Sequence, residues 1–71
     1  MYKMTEQREV GGKERSLGTY GEQEDRVRWS DWDIWRESAT IHGYCVRMYH
    51  NGQLISTYNQ LGKVKTTIGI I

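Results

Sequence analysis

The most regular pattern in the chain lies at residues 31–42, where apolar and polar side chains separate onto opposite halves of a helical wheel. At 100° per residue, Trp32, Ile34, Trp35, Ser38, Ala39, Ile41 and His42 fall on one half, and Asp33, Arg36, Glu37 and Thr40 on the other. Ser30 stands where a hydroxyl can cap the first turn, and Asp31 and Asp33 suit the positive end of the helix dipole. Gly43 follows at the position where a positive φ ends a helix at least cost. The pattern predicts a helix over 31–42, about three turns long. Such a helix is marginal alone, so something must cover its tryptophan face.

The cover is predicted directly downstream. Asn51-Gly52 sits between two strand-like runs and supplies the two positive φ values of a type I′ turn, which predicts strands at 44–49 and 53–58. A regular two-residue hairpin pairs Met48 with Ile55 and Val46 with Thr57 on one face. On the other it pairs Tyr49 with Leu54, Arg47 with Ser56 and Cys45 with Tyr58. The aliphatic face, with Tyr44, is the expected partner of Trp32, Ile34 and Trp35. A further strand at 64–70 joins through Gly62, adding Val64, Ile68 and Ile70 to the core with Lys65 turned away.

The first part of the chain is less regular. Residues 1–10 alternate through Tyr2 and Met4 but are interrupted by Glu6 and Arg8, a pattern that suits a sheet edge. Residues 11–25 combine glycines with charge and little apolar area, the composition of a mobile loop. Residues 26–29 read as a short strand. The fold class expected is α+β, a single small domain over 1–71 with one amphipathic helix packed on a three- to four-stranded antiparallel sheet.

Composition sharpens this. Seventy-one residues allow one small core, and with no Phe the three Trp and five Tyr must supply its large apolar area. Cys45 is the only cysteine, so no intrachain disulfide forms, and a lone thiol suits the cytoplasm better than an oxidising compartment. No apolar run is long enough to span a membrane, and the first ten residues do not read as a signal peptide. The formal net charge is +1, but all nine carboxylates precede residue 38, leaving 43–71 with Arg47, Lys63 and Lys65 and no acid.

Catalytic and metal chemistry find little support. His42, Cys45 and His50 have spacings that match no closed metal site, and Cys45 lies mid-strand with no acid near in sequence to orient a histidine. Asp31 and Asp33, two apart on a helix, diverge too far to act as an acid/base pair. Gly11-Gly12 is followed by no phosphate-binding lysine motif. No cofactor, metal or catalytic residue is expected.

What remains is surface. Arg47, Tyr49, Leu54 and Tyr58 share one hairpin face, flanked by Lys65, and Trp29 lies outside the predicted helix; these six residues are the candidate binding site. The profile suits a small non-enzymatic regulator or inhibitor that binds another protein or a nucleoprotein complex, in the manner of phage and mobile-element accessory proteins. The alternative is a nucleic-acid-binding module, with the cations on phosphates and the tyrosines stacked on bases. Exposed sheet edges also make a homodimer plausible.

Overall fold

The computed structural model describes residues 1–63. Its elements run β1 (Tyr2–Gln7), β2 (Arg15–Tyr20), α1 (Asp25–His42), β3 (Cys45–His50) and β4 (Gln53–Asn59). The four strands form one antiparallel sheet in the order β2-β1-β3-β4, with α1 packed on one side, so the domain is of the α+β class. The strand expected at 64–70 lies outside the described residues.

Two hairpins build the sheet, each closed by glycine. In the second, Asn51 (φ 50°) and Gly52 (φ 86°) adopt the left-handed values of the type I′ turn. In the first, Gly11 (φ 77°) allows the chain to reverse, with the Gly12 N–H donating to the Glu9 carbonyl at 2.8 Å. The expected mobile loop at 11–25 is therefore corrected: it contains the edge strand β2. Residues 1–10 are corrected as well, because β1 is a central strand, hydrogen-bonded to β2 and β3.

Glu6 explains why β1 looked unsuited to the interior. It points to the helix side and is 1% exposed, yet it accepts from Arg8 Nε at 3.0 Å and from Arg15 Nη2 at 2.7 Å. Two guanidinium partners satisfy a carboxylate that would otherwise be too costly to bury.

Each edge strand carries one bulge. Leu17 is the extra residue of β2, since Met4 pairs with Gly18 but Thr5 with Ser16. Ile55 is the extra residue of β4, since Tyr49 pairs with Leu54 but Met48 with Ser56. A bulge shifts every later residue by one position, so Val46 pairs with Tyr58 and Arg47 with Thr57. The regular register expected from the turn fails beyond Leu54, and Ile55 is exposed, not in the core.

The helix starts at Asp25, not at residue 31. Glu24 occupies the cap, and its Oε1 accepts from the Gly21 N–H at 2.6 Å, so Ser30 lies inside the helix and Trp29 is a helical residue. Arg28 anchors the added turn. It is 4% exposed, stacks on the Tyr2 ring 3.8 Å from its centroid, and donates to Asp25 at 2.8 Å. At the other end Gly43 (φ 75°) donates to the Ala39 carbonyl at 2.7 Å.

Packing selects a different helix face from the one the wheel suggests. Arg28, Trp32 and Ala39 are buried with Trp35 half-buried, whereas Ile34 and Ile41 are exposed. The core is Met4, Tyr20, Trp32, Ala39, Tyr44, Val46 and Met48, with Tyr2, Leu17, Trp35 and Tyr58 packed around it. Tryptophan at positions 32 and 35 covers the sheet with more area per residue than isoleucine could.

Candidate functional site

One face of the sheet carries α1; the other is uncovered by any helix among the described residues. Strand alternation sends Lys3, Thr5 and Gln7 of β1 to that second face, beside Ser16 and Thr19 of β2, Arg47 and Tyr49 of β3, and Leu54 and Thr57 of β4. Tyr49 and Leu54 are cross-strand neighbours, and Leu54 is 47% exposed. A concavity of about 350 Å³ opens here, lined by Lys3, Thr5, Glu14, Ser16, Tyr49 and Gly52.

Glu14 organises this surface. Lying in the β1–β2 connection, it accepts from Thr5 Oγ1 at 2.7 Å and from Tyr49 Oη at 2.8 and 3.0 Å, and its carboxylate is 3.5 Å from Arg47 Nη1. The Thr5 hydrogen bond, then those of Tyr49 and the nearby cations Arg47 and Lys3, hold Glu14 below the usual carboxylate range despite some desolvation. Burial and the bond to Glu14 push the Tyr49 phenol up. Tyr49 is therefore a neutral donor at physiological pH, with its ring fixed at the rim of the concavity. Arg47 is fixed too, donating to Gln7 Oε1 at 2.9 Å.

Of the expected site residues, Arg47, Tyr49 and Leu54 come together on this face. Tyr58 does not. The Ile55 bulge turns it to the helix side, where its hydroxyl lies 2.6 Å from Thr40 Oγ1 and the Arg36 guanidinium sits 4.7 Å from its ring centroid. Trp29 belongs to the helix layer, 47% exposed, with the Arg28 guanidinium 4.8 Å from its ring centroid. Lys65 lies outside the described residues. Lys3, Thr5, Glu14 and Ser16 were missed from the sequence. Period-two alternation in β1 and the Gly11-Gly12 turn could have indicated the first two and Ser16, but nothing local places Glu14 against Tyr49, 35 residues away.

The acid-free second half of the sequence is thus not an acid-free surface, because the fold returns Glu14 to Arg47. A second concavity of about 260 Å³, lined by Glu6, Arg8, Glu9, Gly12, Lys13 and Arg15, has two of its cations committed to Glu6. His50 stacks on Tyr2 with centroids 4.1 Å apart, and its Nε2 lies 2.9 Å from Glu22, which also accepts from the Met1 amine at 2.6 Å. That amine and His50 hold the Glu22 carboxyl below its ordinary value.

Cys45 is fully buried, and desolvation pushes its thiol up, away from the reactive thiolate. Among the described residues, no group of three His, Cys, Asp or Glu is placed to hold a metal ion, and no helix is long and apolar enough to cross a membrane. No protein-family model, curated protein or solved structure matches this chain.

Proposed function

We propose that this chain is a small non-enzymatic regulatory or inhibitory protein that acts by binding another protein through the sheet face opposite α1. The supporting observation is the fixed Tyr49 beside exposed Leu54 at the rim of a concavity that mixes Lys3, Thr5, Ser16 and an ionised Glu14. Rigid aromatic rings with an adjacent aliphatic group and polar partners are the composition of interface anchors, because little side-chain entropy is lost on docking. The Cys45 thiol, buried and desolvated, is not presented to solvent as a nucleophile. An accessory role of the phage or mobile-element kind, in the cytoplasm, remains part of this proposal.

Nucleic-acid binding fits less well. Phosphate affinity grows with the number of unneutralised cations, and here Arg47 faces Glu14 at 3.5 Å while Glu14 itself would repel a phosphate. The test compares the wild-type chain with Tyr49→Ala/Leu54→Ala as baits in affinity capture from the native host, alongside oligonucleotide titrations at about 50 mM salt. Capture of one protein by the wild type and its loss in the double variant, with that variant folded by circular dichroism, is the expected outcome. Salt-sensitive oligonucleotide binding, or capture indifferent to the double variant, would overturn the reading.

A further inference from the structure

The opposite side of the molecule carries an apolar feature that the fold does not use. Val27, Ile34 and Ile41 are 52, 60 and 61% exposed and lie seven residues apart on α1. Seven residues return a helix to within about 20° of its starting direction, so the three side chains form one straight ridge, roughly 21 Å long. On the wheel the ridge lies opposite the face of Arg28, Trp32 and Ala39 that packs on the sheet. Ser30 and Ser38 flank Ile34, and their small side chains leave room for a second backbone to approach.

The charges beside the ridge select its occupant. Asp31 and Ser38 border one side, with Asp31 accepting from Tyr20 Oη at 2.6 Å, and Ser30 and Glu37 border the other, with Asp33 about 40° further round behind Glu37. Among the described residues neither Asp33 nor Glu37 has an ion-pair partner. Of the neighbouring cations, Arg28 turns into the core and Arg36 lies over Tyr58, while Arg26 is exposed at the Val27 end of the ridge, seven residues before Asp33. Three carboxylates therefore rim the central part of an aliphatic stripe. A second copy is a poor occupant, since antiparallel pairing about Ile34 sets Asp31 beside Ser38 and Glu37 beside Ser30 of the second copy and Asp33 near its own counterpart, so that none of the three carboxylates gains a cation.

We propose that this ridge is a docking surface for a basic amphipathic helix of a protein partner. Its apolar face packs along Val27, Ile34 and Ile41, and its lysines or arginines meet Asp31, Asp33 and Glu37. The surface is distinct from the sheet face opposite α1, so Tyr49→Ala leaves it intact and the two readings fail separately.

The probe is a synthetic helical peptide with leucine on one face and lysine elsewhere, titrated into the isotope-labelled full chain. Backbone amide shifts are followed at about 50 and about 300 mM salt. Expected are saturable shifts centred on Val27, Ile34 and Ile41 and weaker binding at the higher salt. Affinity should fall at least about tenfold for Ile34→Lys, whose exposed site leaves the fold intact, and severalfold for Asp33→Asn/Glu37→Gln. A peptide with glutamate in place of lysine should not bind. The proposal is overturned by no saturation at about 1 mM, by shifts confined to the sheet face, or by equal binding of the glutamate peptide. Concentration-dependent self-association through Ile34, or binding of the ridge to phosphatidylglycerol vesicles, would overturn it equally.

Discussion

Replacing Tyr20 with Phe isolates the contact that ties the β2 edge to the helix. Tyr20 is 8% exposed, and its hydroxyl donates to Asp31 Oδ2 at 2.6 Å. Desolvation, then the bond to Asp31 and its charge, push the phenol up to about 12. A rise of about two units over an ordinary tyrosine is equivalent to roughly 3 kcal/mol of preference for the neutral form in the folded state. A hydrogen bond to a charged acceptor gives a similar figure, about 1.5–3 kcal/mol.

The sign follows from the direction. The contribution is fully present below the unfolded phenol's value near 10 and is lost as pH rises from about 10 through 12. By removing the hydrogen bond to Asp31, Tyr20→Phe should lower the unfolding free energy at neutral pH by about 1.5–3 kcal/mol, or roughly 10–20 °C in melting temperature for a domain of this size. It should also flatten the alkaline decline in stability. Urea titrations at pH 7 and across pH 9–12, with phenolate absorbance on both proteins, read both quantities. A loss under about 0.5 kcal/mol, or a phenol that titrates near 10 in the folded protein, would refute the argument.

Glu14 makes the complementary acid-side prediction. Its lowered carboxyl contributes stability that is present above the unfolded value of a glutamate and lost as pH falls through its depressed folded value, so Glu14→Gln should flatten the acid limb of a urea-stability profile. The Cys45 thiol should resist an aromatic disulfide reagent in the folded protein and react fully in urea; fast labelling without denaturant would contradict its burial. Gly43→Ala should cost about 1 kcal/mol in thermal unfolding, because φ 75° there is strained for a residue with a Cβ, whereas an unchanged melting point would place the helix end elsewhere.

The second hairpin and the helix end were legible because each is a local event with its own residue signature. Asn51-Gly52 and Gly43 dictate their backbone values wherever they occur. The first hairpin carried a weaker signature in Gly11-Gly12, masked by the charged residues around it. The candidate site was half legible. Arg47, Tyr49 and Leu54 follow from the turn, but Tyr58 does not, because a one-residue bulge at Ile55 depends on how β4 sits against β3 and leaves no local mark.

The sequence by itself determined the class of fold, the Asn51-Gly52 turn and the C-terminal end of the helix, since these rest on short-range backbone preferences and on hydrophobic periodicity. Only the tertiary structure decided which helix face is buried. The wheel grouped Trp32, Ile34, Trp35 and Ile41 together, but one sheet can cover only one side, and Trp32, Ala39 and the stacked Arg28 took it, leaving the isoleucines outside. It likewise brought Glu14 to Tyr49 and Arg47, and Arg15 to Glu6, because long-range strand pairing places side chains whose charges no local pattern relates.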